Sequence, residues 1–308
     1  MSKKKILITG SNGLLGQKLV YRLLREPNVE VIATSKGPNR LVNQTGYTYQ
    51  ELDITNAQEV ETTFKKLVPD VVVNTAAMTN VDACETEKEL CYKMNVDAVQ
   101  YIVNALKKLP NDPHLTHLST DFIFDGAKGP YKETDIPIPP KSIYAESKFE
   151  SETIVEESGL KWAILRTILV YGVVDNMSRS NIVLWAKDSL SKKKNINVVD
   201  DQFRSPTLAE DLAEGCALVA LKGATGFYHI SGKDQMSILE MVQKIADFWH
   251  LDKSLINPIK TNTLGQAAER PMRTGFIVDK ARKDLGYEPH SFTDGLAMVD
   301  KQLKERGL

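Results

Sequence analysis

Three glycines near the N-terminus restrict this chain more than any other feature. Gly10, Gly13 and Gly16 lie in Thr9-Gly10-Ser11-Asn12-Gly13-Leu14-Leu15-Gly16, directly after the apolar run 5–9 and at the start of a helical pattern over 14–25. Glycines placed between a strand and a helix allow a tight turn, close approach of a pyrophosphate to backbone N–H groups, and tight helix–strand packing. The helix N-terminus adds partial positive charge. A glycine triplet by itself marks only a turn. The strand before it and the helix after it turn the pattern into a dinucleotide cradle, with Gly10, Asn12, Gly13, Leu14 and Leu15 as its candidate contacts.

The rest of the first half repeats that alternation. Short apolar runs at 29–34, 70–74 and 115–119 are separated by helical stretches, which predicts βαβ units and a parallel sheet. The runs lack strict polar alternation, as strands covered by helices on both faces do. The expected fold class is therefore α/β: a Rossmann-like doubly wound parallel sheet with helices on both faces and a smaller C-terminal substrate-binding lobe. Further strands are expected at 162–165, 196–199 and 227–230, and a helix at 238–249. The dinucleotide-binding domain is assigned to 1–165 and the substrate lobe mainly to 166–308, with 196–232 returning to the first domain.

Composition narrows the partners. Thirty-nine basic and forty acidic side chains leave a formal charge of -1, so no global field gathers nucleic acid or an anionic membrane. Cys84, Cys91 and Cys216 form no CxxC pair, which argues against a disulfide framework or a zinc site, and no metal is expected. Lys3, Lys4 and Lys5 precede an apolar stretch too short for a signal peptide or membrane span. A cytoplasmic protein is expected, with a homodimer among the assemblies open to it.

Cofactor preference is read about 20 residues past the glycines, where an acid would accept from the ribose 2′-hydroxyl. No acid stands there. The segment offers Ser35, Lys36 and Arg40, which suit a 2′-phosphate, so NADP(H) is expected over NAD(H). Tyr144 and Lys148 are four residues apart, hence one helical turn apart on one face. An ammonium beside a phenol favours phenolate, and bringing a tyrosine from about 10 toward neutrality takes about 4 kcal/mol. Tyr144 is then a candidate proton donor to a carbonyl oxygen. Thr120, at the end of the expected strand 115–119, lies where open α/β sheets bind ligands.

Together these motifs resemble the extended short-chain dehydrogenase/reductase family and, within it, the dTDP-4-dehydrorhamnose reductases. The resemblance also rests on Leu52-Asp53-Ile54, Asn74-Thr75-Ala76-Ala77, Met94-Asn95-Val96, residues 118–126, Leu165-Arg166-Thr167 and residues 200–207. It implies that Asp53 and Ile54 edge the adenine, that Ala76 and Ala77 line the cofactor, and that Thr120 hydrogen-bonds the substrate carbonyl beside Tyr144. Asn95 is implied in cofactor binding and a proton relay. The implied activity is NADPH-dependent reduction of a nucleotide-linked 4-keto-6-deoxy sugar, dTDP-4-dehydro-L-rhamnose, to the 4-hydroxyl product.

Departures from the family pattern include Ala145, where glycine is common, Arg204, where glycine is frequent, and the absence of a tryptophan after Arg166-Thr167. Gln202 and Arg204 are the candidate nucleotide-sugar contacts, ahead of Arg179, Arg270 and Arg273. Two other readings compete. A dehydratase or epimerase of the same fold is disfavoured because Phe122, not Glu, follows Thr120-Asp121. The other is a non-catalytic NADP-binding regulatory subunit, like the β subunit that attends methionine adenosyltransferase.

Overall fold

A computed structural model describes residues 2–138, 140–176 and 180–307. Its centre is a seven-stranded, all-parallel sheet. The first six strands are β1 (Lys4–Thr9), β2 (Val29–Ser35), β3 (Thr48–Glu51), β4 (Val71–Asn74), β5 (His114–Thr120) and β6 (Lys161–Thr167); the seventh is Gly226–His229. Their spatial order is seventh, β6, β5, β4, β1, β2, β3, so the chain reverses direction across the sheet between β1 and β4. That reversal opens a crevice at the carboxyl ends of the two strands, where Thr9 and Asn74 stand.

Both faces of the sheet are buried, which explains the continuous apolar runs. On one face Ile6, Ile8 and Val73 pack with Leu19 and Val20 of helix α1 (Leu14–Leu23) and with Leu212, Cys216 and Val219. On the other, Leu7, Val72 and Leu115 pack with Phe64, Val99, Ile102 and Val155. Asn56 caps the helix Ala57–Leu67 by accepting from the Gln58 and Glu59 backbone N–H groups.

The second lobe has its own core of Leu184, Ile196, Val198, Met241, Ile245 and Leu296. The expected return of 196–232 to the sheet domain is corrected here. Ile196–Val199 pairs in parallel with Ile256–Ile259 inside the second lobe, while the helix Ala209–Lys222 and the strand Gly226–His229 do join the sheet domain. Trp185 is 40% exposed, because the helix Ile182–Ser191 turns Val183, Leu184 and Ala186 inward instead. No helix among the described residues is long and apolar enough to cross a membrane.

Candidate active site

The glycine turn has the shape its sequence demands. Gly10 has φ +67°, and a Cβ there would meet the Ala76 backbone at 2.8 Å; one on Gly16 would drive into the Gly10 carbonyl oxygen. Gly13 is the N-cap of α1 and offers no side-chain cap, so Leu14 and Leu15 begin a helix whose first N–H groups face outward. The Ser11 hydroxyl is buried with no partner among the described residues. Open amides, a turn closed to any Cβ and an unpaired hydroxyl fit a dinucleotide pyrophosphate. Asn12 braces the cradle, donating to the Pro38 carbonyl at 2.9 Å and accepting from the Arg40 N–H at 2.9 Å.

The group beyond β2 is mixed. Ser35 is half-buried and Arg40 is exposed, and among the described residues no carboxylate pairs with Arg40. Lys36 is 2.7 Å from Asp53, and this contact with the Thr55 hydrogen bonds overcomes the upward push of burial and holds the Asp53 carboxyl below its ordinary range. Lys36 must therefore leave Asp53 to reach a phosphate. Ile54 is buried, and Ala76 and Ala77 are half-buried just beyond β4.

Asn95 is placed differently from what the resemblance implies. It is buried in a π-helical turn, Lys93–Asp97, accepting from the Met78 N–H and donating to the Met78 carbonyl and the Ser147 hydroxyl. Its amide ties the loop after β4 to the helix of Tyr144.

Thr120 ends β5. Tyr144 and Lys148 lie on the helix Ile143–Glu156, capped by Ser142, whose hydroxyl accepts from the Ala145 N–H. The Phe122 ring meets Tyr144 edge-on, with centroids 5.9 Å apart. Burial pushes the Tyr144 phenol well above its ordinary range; a hydrogen bond with Thr120 pulls it down and the nearby Asp121 charge pushes it further up. Burial thus favours the neutral phenol, and Lys148 sits one turn along the same helix. Its Nζ lies 3.2 Å from His117 Nε2, and burial pushes the ammonium down to about 8 against the opposing charge of Glu152. Tyr144 rests as a protonated acid, the form a proton donor needs.

The substrate-side expectation for Gln202 and Arg204 is corrected. Both are buried. Arg204 donates to the carbonyls of Pro271, Phe203 and Met272 and to Gln202 Oε1, and its Nε faces Asp121 Oδ2 at 3.9 Å. Gln202 Nε2 donates to Thr261. A guanidinium with its donors committed to carbonyls inside the protein is not a free fork for a diphosphate. Arg270 likewise holds Asp82 through both nitrogens, while Arg273 is exposed with its guanidinium 4.8 Å from the Phe203 ring centroid; Arg179 lies outside the described residues.

Sequence reading missed two groups here. Asp121 is buried and its carboxyl is pushed up by burial, with Arg204, Thr274 and Thr120 opposing; its place after Thr120 was the available signal. Beneath Lys148, Asn74, His117 and Ser151 form a buried polar chain, to which strand position gave the only clue.

A family model described as RmlD substrate binding domain matches residues 4–305. The chain belongs to that family. Among RmlD-family relatives, a protein of Aggregatibacter actinomycetemcomitans named dTDP-4-dehydrorhamnose reductase is 32% identical over 96% of this chain and 98% of its own. A crystal structure of dTDP-4-dehydrorhamnose reductase from Bacillus anthracis in complex with NADP superimposes with a TM-score of 0.81. It is 28% identical and covers 98% of this chain and 100% of that one. The mouse methionine adenosyltransferase 2 subunit beta is 28% identical over 90% of this chain and 89% of its own.

Proposed function

We propose that this chain is an NADPH-dependent reductase of a nucleotide-linked 4-keto-6-deoxy sugar, converting dTDP-4-dehydro-L-rhamnose to dTDP-L-rhamnose. The observation that carries the reading is the placing of Thr120 and the buried Tyr144 together at the carboxyl end of the sheet that also carries the glycine turn. Bound NADPH supplies the hydride. Thr120 orients the ketone oxygen through its hydroxyl, and Tyr144 delivers its phenolic proton to that oxygen as the carbon is reduced. Lys148, one turn along the helix and charged below about pH 8, stabilises the phenolate that Tyr144 becomes. Phe122 walls the phenol from water. Arg40 and Ser35, with Lys36 once it leaves Asp53, bind the 2′-phosphate.

The regulatory-subunit reading has one observation in its favour, the similarity to the methionine adenosyltransferase subunit over most of the chain. The two separate in one assay. Purified protein is given NADPH and the dTDP-, UDP- and GDP-linked 4-keto-6-deoxy sugars, and the loss of NADPH absorbance is followed. Turnover fastest with the dTDP sugar is the expected result. Tight NADPH binding with no turnover on any of the three would replace this reading with the regulatory one.

A further inference from the structure

His117 lies under Lys148 in a site closed to solvent; both residues are almost wholly buried. Among the described residues, His117 Nε2, at 3.2 Å, is the only hydrogen-bond partner of Lys148 Nζ. The same nitrogen is 3.0 Å from the Ser151 hydroxyl oxygen, whose proton goes to the Lys148 carbonyl at 2.7 Å. The other ring nitrogen, Nδ1, faces the Asn74 amide at 3.1 Å, and Asn74 in turn meets the Thr9 hydroxyl at 2.6 Å. A hydrogen-bonded line therefore runs from the end of β1, beside the glycine turn, to the amine of Lys148.

We propose that His117 is the positioning residue of Lys148: its neutral ring offers the Nε2 lone pair that holds the ammonium under the end of β5, with Asn74 fixing the tautomer. The proton inventory sets what this requires. An ammonium has three donors and no acceptor, so a charged Lys148 at this distance needs a bare Nε2. The ring proton must then sit on Nδ1 and be accepted by the Asn74 carbonyl oxygen. A half-turn of the Asn74 amide meets that need, because the Thr9 hydroxyl can accept as well as donate, and the Ser151 hydroxyl must turn its proton from the Lys148 carbonyl to share the Nε2 lone pair. The opposite arrangement, with the proton on Nε2, leaves a buried ammonium facing an N–H, and it suits only the uncharged amine. Burial first, and the Lys148 charge second, hold His117 far below its ordinary titration range, so the ring stays a neutral acceptor.

The groups around Lys148 set the sign of the effect. Tyr144 and Glu152 lie on its own helix, with Glu152 bound to Arg166 of β6; Cys91 approaches from the helix Lys88–Tyr92, and His117 from β5. His117 supplies the lone pair, so its removal disfavours the charged form of Lys148, and the pH above which that charge is lost moves down.

The kinetic arm of the test rests on the reductase reading; the spectroscopic arm does not. In kcat/KM against pH, His117→Phe is expected to move the high-pH limb down by about one unit, and His117→Gln, whose amide oxygen can accept, to return it toward the parent. Independently, 15N spectra of the histidine-labelled parent protein, with the His117 signals assigned from their loss in His117→Gln, are expected to show at neutral pH a neutral ring protonated on Nδ1. Superimposable profiles overturn the proposal. So does a limb that shifts in both variants, which marks lost packing, or an Nε2-protonated ring at neutral pH. An inactive parent with the Nδ1 tautomer sinks the reductase reading and leaves the seat of Lys148 standing.

Discussion

The carboxyl end of the sheet and the second lobe both bring polar side chains toward the cleft, but they use their hydrogen bonds differently. Around the glycine turn the helix amides of α1 have no side-chain cap, and the Ser11 hydroxyl has no partner among the described residues. In the second lobe, Arg204 and Gln202 are satisfied by backbone carbonyls, by Thr261 and by each other. Unmet hydrogen-bonding capacity in a cleft costs stability and is retained where a ligand will meet it. Capacity already met inside the protein holds elements together. Residue type alone does not separate the two cases: Arg204 and Arg40 carry the same guanidinium, one holding the loop at Pro271 and the other exposed beside the cofactor turn.

The largest effect tests the open side of that contrast. Tyr144→Phe keeps the ring and its packing against Phe122 but removes the transferable proton. Turnover is expected to fall by about 10²–10⁴-fold with NADPH affinity almost unchanged, measured by steady-state kinetics and calorimetric titration. Near-parental turnover would remove Tyr144 from the chemistry.

The next tests the closed side. Arg204→Met leaves the Asp121 carboxyl buried without its cationic neighbour and frees three backbone carbonyls, so chemical denaturation is expected to show a loss of about 3 kcal/mol. The loss should grow with pH. Without Arg204 the folded-state pKa of Asp121, already raised by burial, rises further, and stability falls as pH climbs from the unfolded value through the folded one. Unchanged stability with weakened nucleotide-sugar binding would return Arg204 to the substrate site and erase the contrast.

The smallest effect sharpens the comparison within the cofactor region. Arg40→Ala is expected to weaken NADPH about tenfold and leave NADH unchanged. Lys36→Ala should cost less, since Lys36 must give up Asp53 before it binds phosphate. Equal binding of NADPH and NADH by the parent protein would remove both residues from cofactor selection.

The sequence by itself determined the strand and helix alternation of the first half apart from β3 (Thr48–Glu51), the glycine turn and the pairing of Tyr144 with Lys148 on one helical face. These depend on spacing along a few residues: the periods of helix and strand, the freedom of Gly10 at positive φ, and the cap at Ser142. Only the tertiary structure decided that Ile196–Val199 pairs within the second lobe, that Asn95 faces inward, that Arg204 is sealed against Pro271, and that His117 lies under Lys148. Arg204 and Pro271 are 67 residues apart, and Asp121 and its Thr274 partner 153. Local pattern governs which way a side chain leaves the backbone, but the groups that satisfy it, and so the proton and charge it carries, arrive from distant segments when the core closes.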